Sequence, residues 1–404
     1  MSGPLRFLVL VPDGAADYPE PERGGLTPLR AASTPNMDAL AEAGVCGMAV
    51  TLPEGLPAGS DVANFSILGY DPRLYYSGRG PLEAASMGVE LEDDEVAFRC
   101  NLVTVSGDRL EDYSAGHVST REAKELVATL QERLGGDGVA FHAGVGYRHL
   151  LVLRGLEFLE ARCFPPHDVV GSLLEDVLPT GRGAEFLRDL MERARGVLEG
   201  HPVNRERRKA GKRPANGIWP WGQGRPPRLP GLKERYGVSG AVITAVDLIK
   251  GLGVHAGMEV VEVPGATGYY DTDYRAKGEY AVRCLEEKDL VFVHVEAPDE
   301  AGHEGNWEEK VKALERIDSL VLGTVLERAE REGFDLRVLL MPDHPTPLRV
   351  RTHTRDPVPF VLYGLEGEPD GVRAFDEESA KGGRLGLVEA WKLLDMLVKG
   401  STAL

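Results

Sequence analysis

Cysteine is scarce in this 404-residue chain, where Cys46, Cys100, Cys163 and Cys284 stand far apart with no CxxC spacing. That argues against a disulfide framework. Amides are scarce too, with two Gln (Gln131 and Gln223) and six Asn; their depletion beside abundant charge suggests a thermophilic source. Long apolar runs are missing. Hydrophobic residues make up 42% of the chain, yet none of its runs approaches the ~18 residues of a membrane helix. The first strand, Phe7 to Val11, ends at Pro12 without signal-peptide features. Basic charge is in deficit, leaving a formal net charge of −18, which argues against general nucleic-acid binding. These absences describe a cytoplasmic chain with no membrane or nucleic-acid partner, long enough for two domains. A homo-oligomer is compatible with all of them.

What is present centres on Leu290 to Gly305, LVFVHVEAPDEAGHEG. Leu290 to Val293 reads as a buried strand whose polar end carries His294, Glu296, Asp299 and His303. Asp299 and His303 are four apart, so a helical turn after the strand would aim both at one point, as metal ligands at a strand's carboxyl end require. An incidental surface loop is the plainer alternative. Asp13 follows the first strand in the same way, where it serves equally as an Asx turn or as a ligand. Thr34 to Ala41 opens a helix that Gly44 stops. In Ala58-Gly59-Ser60-Asp61, Ser60 falls at a helix N-terminus: either an N-cap, or a hydroxyl whose alkoxide or phosphate the helix end would stabilise.

The pattern changes past Met87. The acidic break Glu92-Asp93-Asp94-Glu95 opens a stretch to about Pro230 that reads as an inserted domain, with a strand at Val96 to Val105, a helix at Thr120 to Leu134, a hairpin at Val139 to Leu153 and a helix at Gly183 to Leu198. His117 follows a Gly in a polar loop, as a phosphate or acid–base group or simply as a surface histidine; the pair His167-Asp168 is equally open. Residues 201 to 230 hold eight Arg or Lys against one Glu. With two Trp among them, this stretch reads as an ordered loop facing a small anion rather than a linker. Alternation of strands and helices then resumes, with a strand at Ala241 to Thr244, a long helix at Glu308 to Glu332, Asp343 and His344 after the strand Leu336 to Met341, and His353 before the strand Val358 to Leu362. Leu385 to Val398 reads as a closing helix. The pattern implies an open, mainly parallel sheet with helices on both faces, from residues 1–87 and 231–404, with a smaller α+β domain at 88–230 inserted.

Asp13, Ser60, Asp299, His303, Asp343, His344 and His353 all fall at or just beyond strand carboxyl ends, where such sheets bind ligands. Carboxylates, imidazoles and a hydroxyl without cysteine suit two divalent ions such as Mn²⁺ or Zn²⁺, with Mg²⁺ or Co²⁺ as alternatives, and in-line phosphoryl displacement.

In VPDGAADYP, AGSDVANFSILGYDP, HVEAPDEAGHEG, MPDHPTP and RTHTRDPVPF, the chain resembles the archaeal type of the cofactor-independent (2,3-bisphosphoglycerate-independent) phosphoglycerate mutases, in the alkaline phosphatase superfamily. The resemblance spans nearly the whole chain, with the motifs in order. It implies one metal at Asp299, His303 and His353, a second at Asp13, Ser60, Asp343 and His344, and Ser60 as the phosphorylated nucleophile. It further implies that His117, Arg148, Lys250 and the loop PVNRERRKAGKRPAN, with Arg207 and Asn216, face a phosphoglycerate substrate, and that no bisphosphoglycerate is needed. Two departures stand out: Pro345, where many relatives carry a small hydroxyl residue, and Trp219-Pro220-Trp221-Gly222, in place of an Arg-containing loop. A metal-dependent phosphatase, or a mutase for another small phosphorylated metabolite, would use the same ligands; the inserted domain, expected to keep water from a phosphoserine, separates these readings.

Overall fold

The computed structural model describes residues 3–403 and divides into two units, Met1–Tyr76 with Arg228–Leu404, and Ser77–Pro227. The first unit holds an eight-stranded sheet in the order Glu259–Val260, Gly240–Ile243, Leu290–Val295, Leu5–Pro12, Asp335–Leu340, Val358–Tyr363, Val45–Val50, Leu387–Glu389. Only Val358–Tyr363 runs against its neighbours; every other pairing is parallel. Phe7 to Pro12 are buried at every position, as are all of Leu290–Val295. Continuous burial means that both faces of the central strands are covered, the reason they read as unbroken apolar runs. The expected open, mainly parallel α/β sheet is the one found.

Helix ends follow their punctuation. Pro35–Ala43 begins after Thr34 and stops at Gly44, and Tyr274–Glu287 begins where the Asp273 side chain accepts from Ala276 N–H. The long helix is interrupted, with a π turn at Ile317–Leu322 between Trp307–Arg316 and Gly323–Glu332. At that turn Gly278 of the neighbouring helix lies so near that a Cβ would meet Leu320 O at 2.6 Å. The helix expected over Leu385 to Val398 is shorter, Leu393–Lys399. Leu387–Glu389 instead joins the sheet edge beside Met48 to Val50, because edge pairing takes up backbone groups that a helical pattern does not reveal.

The second unit carries a five-stranded antiparallel sheet around Glu95–Ser106, packed on the helices Thr120–Leu134 and Ala184–Glu199. The units divide at Tyr76/Ser77 and Pro227/Arg228, where the sequence suggested 87/88 and 230/231. The helix Gly80–Ser86 goes with the second unit because Ala84 packs with Ala97, Leu150 and Val152. The basic stretch is not one loop. Pro202–Lys209 is helical and Gly217–Gly224 is a strand paired with Glu95–Ser106, so Trp219 and Trp221 sit in a hydrophobic core.

Candidate active site

Three parallel strands end side by side and each delivers an acid. Leu5–Pro12 runs into Asp13, Leu290–Val295 into the helix Ala297–Glu304 that carries Asp299, and Asp335–Leu340 into Asp343. Asp299 and His303 lie one helical turn apart, with His303 Nε2 3.2 Å from Asp299 Oδ2. Gly14 adopts φ +63°, and a Cβ there would lie 2.5 Å from Asp299 Oδ1; only glycine lets these two loops approach.

Ser60 opens the helix Ser60–Ile67, but the residue at the cap position is Gly59. The serine hydroxyl is therefore not needed as a cap. It lies 3.0 Å from His344 Nε2. One turn on, Asn64 donates to Ser60 O at 2.8 Å and to Asp343 Oδ2 at 3.0 Å, tying the helix to the acid.

Whether these residues fit a cation can be judged from the imidazoles. His303 Nδ1 faces Arg351 O at 3.0 Å and His353 Nδ1 faces Ala58 O at 3.1 Å. A nitrogen facing a carbonyl must carry a proton, so in the neutral rings both Nε2 atoms present lone pairs. Those atoms lie 3.1 Å apart, with Asp299 oxygens 3.2 and 3.5 Å away. Two Nε2 atoms held face to face beside a carboxylate suit a cation in place of the protons they otherwise donate to Asp299, and this nitrogen–oxygen donor set suits a divalent ion. A second group forms around Asp13. His344 Nε2 lies 3.6 Å from Asp13 Oδ1 and 3.5 Å from Asp343 Oδ2, and His294 Nε2 lies 3.3 Å from Asp13 Oδ2. Asp13 Oδ1 and His294 Nε2 are buried with no hydrogen-bond partner, which fits missing coordination.

The ligand atoms group as Asp299, His344, His353 and as Asp13, His294, Asp343. All seven residues singled out in the sequence for metal binding thus converge, with His344 between the two sets. His294 joins them. It was visible at the polar end of its strand, but alternation in a strand buried on both faces does not say which residue points to the ligand edge.

Electrostatics follow the crowding. Burial pushes the Asp13 carboxyl well above its ordinary value, reinforced by Asp343 and Asp299. Burial opposes ionisation of Asp299 as well, but hydrogen bonds from His303 and His353 outweigh it and hold that carboxyl well below the usual range. The bond to Asp299 raises His303 to about 9, while burial lowers His344 and His294 to about 4 each. His344 and His294 are thus kept neutral, the form that ligates, whereas for His353, as for His303, the bond to Asp299 outweighs burial and raises the ring.

Lys277 had not been singled out. It is 1% exposed and donates to His294 O at 2.9 Å, and burial, reinforced by Lys250, lowers its amine to about 8. Nothing in its local sequence marks it, since a lysine on a helix reads as solvated. Lys250 is bound to Glu262 at 2.8 Å.

In the second unit, His117 is exposed at φ 49°, last of three successive left-handed residues after Ala115 and Gly116. Such backbone is costly outside glycine and gathers at functional sites. Arg148 is also exposed. Arg207 and Asn216 do not stand free for a substrate. Arg207 is buried, bonding Glu122, Ala115 O and Arg213 O at 2.7 to 3.0 Å. Asn216 is engaged by both backbone groups of Val105 and by Glu199. Their sequence gave no warning, since polar residues in a basic run look solvated until their carbonyl partners are placed.

Fold and site together define an α/β protein that gathers metal-ligating side chains and a serine at the carboxyl edge of a parallel sheet. The model of the 2,3-bisphosphoglycerate-independent phosphoglycerate mutase family matches residues 41–204. A 2,3-bisphosphoglycerate-independent phosphoglycerate mutase of Methanosarcina acetivorans is 54% identical over 98% of this chain and 100% of its own length. Among solved structures, the PH0037 protein of Pyrococcus horikoshii aligns with TM-score 0.84 at 32% identity, over 100% of this chain and 99% of that one. The cofactor-independent phosphoglycerate mutase of Thermoplasma acidophilum aligns with TM-score 0.68 at 29% identity, over 99% of each. The chain belongs to the 2,3-bisphosphoglycerate-independent phosphoglycerate mutase family.

Proposed function

We propose that this chain interconverts 3-phosphoglycerate and 2-phosphoglycerate through a phosphoserine at Ser60, in the cytoplasm and without bisphosphoglycerate. The observation that carries the reading is Ser60 itself: a helix-start hydroxyl without a capping bond, 3.0 Å from His344 Nε2. Two divalent ions, Mn²⁺ or Zn²⁺ before Mg²⁺ or Co²⁺, would be held by Asp299, His303 and His353 and by Asp13, Asp343, His344 and Ser60, with His294 as a further ligand of the second. Bound there, they supply the positive charge that ionises the serine and neutralises phosphate oxygens.

This chain's residues do the rest. Ser60 Oγ attacks phosphorus in line, the bond from phosphorus to the substrate oxygen breaks, and that oxygen takes a proton. Backbone N–H groups at the start of Ser60–Ile67 stabilise the phosphoryl oxygens. Lys277, buried and donating to His294 O at 2.9 Å, holds the end of the strand that carries His294. The glycerate turns, and its other hydroxyl takes the phosphoryl group from Ser60, restoring the serine.

Phosphorus NMR of the Mn²⁺-loaded protein with 3-phosphoglycerate tests the reading. Conversion to 2-phosphoglycerate without added bisphosphoglycerate is expected; release of inorganic phosphate alone would make the chain a phosphatase. Ser60→Ala and Ser60→Asn should each remove turnover by several orders of magnitude with little change in melting temperature. A folded Ser60→Ala enzyme with a tenth of the activity would end the phosphoserine mechanism.

A further inference from the structure

Each histidine at the ligand edge has a partner for Nδ1, and the partners are of two kinds. His303 and His353 face backbone carbonyls, which no side-chain substitution removes. His344 and His294 face threonine hydroxyls instead, Thr346 Oγ1 at 3.3 Å and Thr244 Oγ1 at 3.4 Å. Thr244 Oγ1 also accepts from Val246 N–H, two residues on. Thr346 Oγ1 donates to Asp299 Oδ1 at 2.5 Å, so a single hydroxyl joins Asp299 of one ligand group to His344, which lies between the two.

Counting protons fixes the direction of this chain of bonds. A carboxylate that binds a cation is ionised and can only accept, so the one hydroxyl proton of Thr346 goes to Asp299. Lone pairs remain at Oγ1, and they suit His344 only when its Nδ1 carries the ring proton. Nε2 is then bare, 3.0 Å from Ser60 Oγ and within 3.6 Å of oxygens of Asp13 and Asp343. Without the hydroxyl, those carboxylates draw the ring proton to Nε2, and that tautomer has no lone pair there for an ion.

Local sequence and packing hold the hydroxyl where it is. Pro345 and Pro347 each restrict the residue before them, His344 and Thr346, to extended backbone. Thr346 N–H bonds Ala16 O at 3.3 Å, and Thr346 O accepts from Lys310 at 2.9 Å. A β-branched side chain has few rotamers, and here the methyl chooses among them. It packs on Gly302, where a Cβ would meet Thr346 Cγ2 at 2.8 Å. Gly302 belongs to the helix Ala297–Glu304, which carries Asp299 and His303. Thr346, Asp299 and His344 are all buried.

We propose that Thr346 is a positioning residue: its hydroxyl, strung between Asp299 and His344, orients the carboxylate and fixes the tautomer in which His344 Nε2 is free to ligate. The inference rests on the reading of this edge as a divalent-ion site; the phosphoglycerate substrate does not enter it.

Calorimetric titration of the full chain, stripped of metal, with Mn²⁺ tests it. Thr346→Ser keeps the hydroxyl and loses the methyl; it should bind Mn²⁺ within threefold of wild type. Thr346→Ala differs from that variant by the hydroxyl alone, and should bind about tenfold or more weakly than it, the usual loss when the partner of a ligating imidazole is removed. Packing by itself predicts otherwise, since Ser and Ala both give up the methyl contact with Gly302 and would weaken the ion alike. Thr346→Val fills the space and lacks the hydroxyl. It should match Ala, and it carries the comparison with Ser if the Ala variant does not fold. Melting curves in chelator check that each variant is folded before titration. The role of Thr346 is overturned if the folded variants without the hydroxyl bind Mn²⁺ within threefold of Thr346→Ser, and the divalent-ion reading would survive that result. Wild type that binds no Mn²⁺ would overturn the divalent-ion reading itself, and this inference with it.

Discussion

A histidine is a usable ligand only when its other nitrogen is committed, and backbone carbonyls do that for His303 and His353. His353→Ala should therefore lower metal content by about one ion per chain while Asp13, Asp343 and His294 retain theirs. Elemental analysis after dialysis checks this, and loss of both ions would mean that His344 bridges one shared site. Glu377 illustrates a different residue-scale effect. Burial raises its carboxyl to about 7, although it accepts from Asp17 N–H and from the Thr27 hydroxyl. The folded state thus holds this proton more tightly than the unfolded chain, so stability falls as pH rises from about 4.5 to about 7. Partial exposure of the residue trims the effect. Glu377→Gln should melt a few degrees above wild type at pH 8, with the gap closing by pH 4.5. An equal gap at both pH values would mean that the carboxyl does not titrate in that window.

At the scale of elements, the loops behind the site are held by a buried ion pair. Lys310, fully buried on the helix Trp307–Arg316, donates to Asp17 Oδ2 at 2.8 Å and to Thr346 O at 2.9 Å. Asp17 also accepts from Leu348 N–H, so one side chain binds the helix to the chain following Asp13 and the chain following His344. Replacing the pair with apolar residues could be neutral, but removing one partner strands the other. Lys310→Met should cost about 3–5 kcal/mol, read by denaturant unfolding. A cost under about 1 kcal/mol would show that Asp17 finds water or a proton instead.

At the scale of the whole molecule, apo protein must hold Asp13, Asp299 and Asp343 together without a cation. Anything that binds only the folded chain stabilises it by mass action, about 4 kcal/mol when present at a thousand times its dissociation constant. Chelation should lower the thermal midpoint, and added Mn²⁺ should restore it as a function of concentration. A midpoint indifferent to chelator and metal would argue that these carboxylates do not bind an ion in the folded state.

The sequence by itself determined the metal-ligand candidates and the parallel sheet, for a physical reason. An acid within a few residues of the end of a strand buried on both faces, as at Asp13 and Asp343, or in the first turn of the helix that follows one, as at Asp299, falls at the ligand edge. Ser60 was also legible, though not its freedom from capping, which needed the backbone of Gly59. Contacts between residues distant in sequence were left to the tertiary structure. It brought His294 and Lys277 to the site, spent Arg207 and Asn216 on backbone partners, and turned Leu387–Glu389 into an edge strand. Strand register paired Arg99 with Trp221 and Asn101 with Arg148. Local sequence encodes which groups a strand end presents; which groups meet, and which remain unpaired, depends on pairings across up to hundreds of residues that no local pattern contains.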